Sequence, residues 1–372
     1  MAFVNPKVWS GTTGDLTLVT NWQQDNIRTA QFRWVASGSG TAEYYLQTAG
    51  GATVGLVASP PTSGGVYING SAATKASLGS LAAGNWGYGD NDALGYSTIY
   101  VRLSDGTDPD TKVAGYVKFN QVPQTGENVV VPEGSGAISS NMDYSATTIG
   151  TYTVETSNDN RAHGSATNPI RLKCTGFIFA GGGQTSAYYD LADSAISPEI
   201  RSTASVDADE FGLYLSGSAI VIANLQGGSV GLGVLGDSFT CTTSVRPRGA
   251  SVRYLIGSTA TVPLLESLAG SGDHENSIAN VTIQGGVART RRAGAVSGVV
   301  TVSGGTWYDQ SSGTKASVVQ NGGSIDATQA GAPAIWSAFT PNAGTFRDDP
   351  KRLTISSVTR PTAAGTHTWI RS

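Results

Sequence analysis

From about residue 220 onward the chain alternates apolar and polar positions in short runs, and each run closes on two adjacent glycines. Ile220 to Leu225 leads into Gly227 and Gly228, and Val281 to Ile283 into Gly285 and Gly286. Val299 to Val302 leads into Gly304 and Gly305, and Val318 with Val319 into Gly322 and Gly323. The last three pairs lie 19 and 18 residues apart, and the first precedes Gly285 by 58, close to three such periods. Period-two runs read as strands, so Val281 and Ile283, or Val300 and Val302, share an inward side. Glycine suits corners that need positive φ or close backbone approach. A repeat of this length and chemistry predicts an all-β, right-handed parallel β-helix, in which each coil supplies hydrogen bonds and apolar cover to the next. One departure is expected within it. Pro263 to Ala269, followed by Gly270, predicts a two-turn helix decorating a coil, with Pro at its first position and Gly past its end.

Residues 25–119 alternate differently. Gln31 to Val35, Glu43 to Leu46 and Thr98 to Leu103 are separated by turn-forming clusters, among them Asn69-Gly70 and Asp105 to Pro109. In the last run Ile99, Val101 and Leu103 share one side, and Thr98, Tyr100 and Arg102 the other, which predicts a half-buried antiparallel strand. A small antiparallel β-sandwich is expected here, inserted into the β-helix. Residues 1–24 would open the helix, and residues 120–372 would continue it and end in closing strands.

The flanks carry a resemblance. Trp9, Ser10 and Gly11, then Asn21 and Trp22, then Val122-Pro123, Gly126-Glu127, Val129 and Val131 are similar to the opening of many β-helical surface proteins of tailed bacteriophages. The inserted stretch, with Phe32 to Trp34, Leu81 to Asp92 and Tyr100 to Asp110, resembles modules of the same phage virion proteins. The motifs span about residues 8–135. The resemblance implies display on the particle as a decoration, fibre or spike, commonly as a homotrimer. The partners it implies are the chain itself, the major capsid protein or other virion proteins, and, for a fibre, host surface glycan.

Composition narrows the chemistry. The chain has 49 glycines, 13% charged residues and a formal charge of −4. Its pI near 5.4 leaves no basic footprint for nucleic acid. Arg289, Arg291 and Arg292 form the single dense basic cluster and read as a solvated loop. Cys174 and Cys241 read as buried free thiols, since two cysteines build neither a disulfide framework nor a metal site. No signal-peptide pattern opens the sequence and no run is long enough for a membrane span. The expectation is synthesis in the host cytoplasm and a place on the virion surface, with no cofactor and no metal.

Candidate chemistry is sparse. His163, His274 and His367 are scattered without ligand spacing. Glycan cleavage on a β-helix would need two carboxyls about 5–9.5 Å apart. The candidates are Asp207, Asp209 and Glu210, then Asp190 with Asp193, and Asp273 with Glu275, all read as solvated turn acids. Asp90 with Asp92, and Asp105 with Asp108 and Asp110, could offer oxygens to Ca²⁺, but Asx-turn capping accounts for them more simply. The candidates for interface or glycan contact are Trp307, Tyr308, Tyr188 and Tyr189. Adjacent strand residues face opposite ways, so one of each pair is expected in the core. The sequence therefore favours a non-enzymatic capsid decoration protein, against a tail fibre or tailspike that grips or hydrolyses glycan.

Overall fold

The structure is a computed structural model. It describes residues 7–9, 22–24, 32–48, 65–112, 116–119, 123, 125–132, 136–139, 142–155, 163–181, 186–201, 211–234, 238–275, 278–291, 296–331, 333–359 and 365–372. The chain forms two compact units, residues 1–141 with 147–151, and residues 142–146 with 152–372.

In the first unit Lys7–Trp9 pairs in parallel with Val129–Val131, and antiparallel with Trp22–Gln24. The expected β-helical opening thus holds, over its described residues, one parallel and one antiparallel pairing. Between these strands in sequence lie two small sheets. Phe32–Ala36, Tyr44–Thr48, Thr98–Val101, Asn85–Gly89 and Thr74–Lys75 form one; Val117–Phe119, Val66–Ile68 and Ser71–Ala72 form the other. Trp34, Leu46, Ile68, Trp86, Val101 and Val117, drawn from both sheets, share one apolar core. The strand Thr98–Val101 departs from expectation, because it is buried along its whole length rather than on one side. Tyr100 packs with Tyr45 and Leu81 in a second cluster that covers the face expected to meet water.

The second unit is a parallel β-solenoid, and the solenoid has about 10 turns. One face stacks Phe239–Pro247, Ala260–Ser267, Ile278–Ile283, Val299–Val302, Ser317–Gln320 and Phe339–Pro341. The second face stacks Ser229–Leu232, Arg253–Ile256, Ser271–His274, Val287–Arg291, Thr306–Gln310, Ser324–Ala327, Gly344–Asp348 and His367–Arg371. A short third face joins Gly313–Lys315, Ala334–Trp336 and Leu353–Ile355. On the first face Val245, Leu265, Val281, Val300, Val318 and Phe339 sit directly above one another, all fully buried. Each such side chain contributes about 1.5–3 kcal/mol by leaving water.

Glycine sets the corner between the first two faces. Gly286, Gly305 and Gly323 have φ of 70°, 63° and 64°, a conformation that a β-carbon disfavours. A β-carbon on Gly305 would stand 2.5 Å from the carbonyl oxygen of Gly286. That same oxygen accepts the amide of Thr306 at 2.9 Å, so the corner hydrogen bond and the missing side chain are one requirement. The 58-residue gap does hold three coils, which run between the successive second-face strand starts Ser229, Arg253, Ser271 and Val287. Their corners use Gly270 and the Gly249–Val252 turn in place of a glycine pair.

The expected helix at residues 263–270 is absent, and Ala260–Ser267 is a strand. Leu265 lies inward between Val245 and Val281, an apolar position paired on both sides. Pro263, which has no N–H to donate, sits where the ladder to Phe239–Pro247 is interrupted, the place in a sheet where proline is tolerated. Among the described residues no helix is long and apolar enough to cross a membrane.

Candidate functional site

The alternation that builds the second face also sorts its aromatic residues. Trp307 and Tyr189 point inward and are fully buried, so neither can serve as the surface contact expected of it. Trp307 stacks on Trp336 with centroids 5.5 Å apart, and Tyr189 packs edge-on against Phe177. Tyr308 and Tyr188 point outward and are half-buried. Tyr188 lies flat on Tyr214 of the next rung at 4.8 Å, and a shallow pocket beside them is lined by Pro169, Ser216 and Val234. The Arg289 guanidinium stands 5.2 Å above the Tyr308 ring.

The outward acids are held by partners. Asp190 accepts from Arg171 at 2.8 Å, and Asp193 from the Ser218 hydroxyl at 2.8 Å. Asp273 faces Arg291 at 3.1 Å and Arg289 at 3.9 Å, which absorbs two members of the basic cluster. Glu275 follows this strand, its amide bonded to Ile256 O. Asp207, Asp209, Glu210 and Arg292 lie outside the described residues. In the first unit Asp90 caps the amides of Leu94 and Gly95, and Asp92 those of Gly38 and Ser39. Asp105 is tied to Lys112, which holds its carboxyl well below the usual carboxylate range. Asp108 caps Asp110, and Asp110 accepts from the Trp34 amide. These acids act as turn and cap residues, and among the described residues no three metal-ligating side chains converge.

The strongest polar constellation is inside the solenoid. Asp309 Oδ1 accepts from Thr290 Oγ1 at 3.0 Å and Ser311 Oγ at 2.7 Å. Its Oδ2 accepts from Trp336 Nε1 at 2.9 Å and lies 3.1 Å from Lys315 Nζ. The side chains of Lys315 and Asp309 are 1% and 0% exposed, so the pair is sealed from solvent. The donors come from three successive coils, so one carboxylate ties those coils together, and Lys315 ends the first strand of the third face. The sequence carries its signal in period two, since Asp309 is two residues from inward Trp307 and shares its side. With donors from three coils on its two oxygens, Asp309 is placed to hold their register.

His274 sits one rung before Thr290 in the same inward column, with neither ring nitrogen hydrogen-bonded. Burial pulls its pKa down to about 3, and burial likewise lowers His163, whose Nδ1 meets the Tyr189 hydroxyl at 2.8 Å, to about 4. Cys174 and Cys241 are buried and free, and burial raises the Cys174 thiol to about 11.

Fold and site together define a parallel β-solenoid with a sealed, polar-pinned core and an outer face of hydroxyls, ion pairs and tyrosines. Comparison with protein-family models, with curated proteins and with solved structures found no match.

Proposed function

We propose that this chain is a non-enzymatic structural protein of a bacteriophage particle, displayed on the head as a capsid decoration. The observation that carries the reading is the state of the outward acids: each described pair weighed for catalysis has a member fixed by a base or a hydroxyl. General acid–base work needs one carboxyl with a raised pKa beside a second at the catalytic spacing. A stiff rod of in-register coils suits repeated display, and the motif resemblance points to the same setting. Immunogold electron microscopy of purified particles, with antibody raised against the recombinant chain, tests this reading. Gold spread over the head is expected; gold confined to the tail tip, or none, overturns it. The outward Tyr188–Tyr214 stack supports a second reading, a tail fibre or spike gripping host glycan. Binding of host polysaccharide that is lost in Tyr188→Ala would favour this second reading over decoration.

A further inference from the structure

The second face of the solenoid carries a column of charge on consecutive rungs. Register places Asp273 beside Arg289, Arg289 beside Tyr308, Tyr308 beside Asp326, and Asp326 beside Arg347. All five side chains point outward and reach solvent. Along the axis the column reads acid, base, tyrosine, acid, base. The rung before it offers Leu255 at the same position, and the rung after it offers Ile370, which is 39% exposed.

Consider a two-fold axis lying in this face, along the strand that holds Tyr308. It reverses the order of the rungs and leaves the position along each strand unchanged. Asp273 then meets Arg347 of a second copy, Arg289 meets Asp326, and Tyr308 meets Tyr308. The same operation sets Leu255 against Ile370, so the apolar ends also match. Packing with the solenoid axes parallel would instead set each charge against its own kind, a costly arrangement. A pattern that maps onto its own complement under one two-fold is what an isologous interface requires.

We propose that this face is a docking surface for a second copy of the same chain, with the two solenoids antiparallel and Tyr308 on the two-fold. Neither Asp326 nor Arg347 makes an ion pair within the chain among the described residues. Among the described residues Asp326 bonds only locally, its Oδ1 accepting from the amide and hydroxyl of Thr328, which leaves Oδ2 for a partner. Seven rungs at the ~4.8 Å spacing of paired strands span about 29 Å. One strand face of that length falls short of the roughly 800 Å² per partner of a standard interface. The association is therefore weak, and salt suppresses it. The proposal stands on the register alone and does not depend on the virion reading.

Sedimentation equilibrium of the full chain tests it. At low ionic strength the wild type is expected to dimerise, and at high ionic strength to return to monomer. Arg347→Glu and Asp273→Lys each turn two attractive contacts repulsive, and each is expected to weaken the dimer about 10-fold or more. An equimolar mixture of the two variants restores every pairing and should regain the dimer. Asp326→Lys mixed with Arg289→Glu provides a second such pair, and unchanged melting curves show that the variants fold. A wild type that stays monomeric at low salt, a trimer indifferent to these changes, or mixtures no more associated than their components would overturn the proposal.

Discussion

The two units solve one problem in different ways. In the first, unlike side chains such as Trp34, Trp86, Ile99 and Val117 converge from different strands on a single core, and acids from distant turns cap the loops around it. In the solenoid each core residue rests on its counterpart one coil away, as Val281 rests beneath Val300 and Val300 beneath Val318. A change in the first unit is felt mainly where it is made. A change in the solenoid is felt by the coils on both sides, because each coil is the hydrogen-bonding and apolar partner of its neighbours.

The largest contrast is expected at buried acids. Asp309→Ala would strand Lys315 inside the solenoid and should cost about 3–5 kcal/mol in denaturant unfolding. Adding Lys315→Met should recover much of that loss. Glu43 is the comparable acid of the first unit, accepting the amides of Gly79 and Leu81. Glu43→Gln keeps an acceptor in place and should cost only about 1–2 kcal/mol. If Asp309→Ala is as mild as Glu43→Gln, the tie between coils is not what stabilises them.

Corner glycines sharpen the same comparison. Gly305→Ala must adopt positive φ and also displace the backbone of the coil beneath, and about 3 kcal/mol or more is expected. Gly70, in the Asn69–Gly70 hairpin turn, has φ of 77° and open space around it, so Gly70→Ala should cost about 1 kcal/mol. Equal losses in thermal unfolding would show that stacking adds nothing to the corner.

Acid should separate the units next. The chain has 3 histidines, at 163, 274 and 367, all in the solenoid unit. An unfolded imidazole takes up its proton near pH 6.5, whereas buried His274 resists until about 3. Between those values the unfolded state binds more protons, so stability is complete above pH 6.5 and is lost as pH falls towards 3. His163 acts in the same direction, with its folded value at about 4. His274→Leu should flatten the pH dependence of solenoid melting and leave that of the first unit unchanged. The smallest effect belongs to the exposed Lys112–Asp105 pair, where Lys112→Ala should leave the melting temperature unaltered.

The coils were legible because strands and corners are local. Val281, Ile283, Val300 and Val302 declare an inward side by spacing, and paired glycines mark corners even where φ is unknown. Corners built without a pair, at Gly270 and at Gly249–Val252, were hidden, as was the strand at Ala260–Ser267. There Pro263 imitates a helix start, and the decisive fact, pairing of Leu265 with Val245 and Val281, lies outside the local window. The full burial of Tyr100 was hidden for the same reason, since Leu81 comes to it from a separate loop. Of the candidate contacts, alternation alone separates outward Tyr188 and Tyr308 from inward Tyr189 and Trp307, given one known side. Tyrosine beside tyrosine gives no such sign by itself. Asp309 was legible from inward Trp307, but its five-donor shell draws on Thr290 and Trp336 from neighbouring coils.

The proposed place of this solenoid, as a fixed part of a phage head, is open to a direct test. Cryo-electron microscopy of purified particles tests it most directly. Rod-like density at symmetry-related positions on the head surface, into which the stacked coils fit, is the expected result. Particles that lack the chain, or carry it at the tail tip alone, would contradict it.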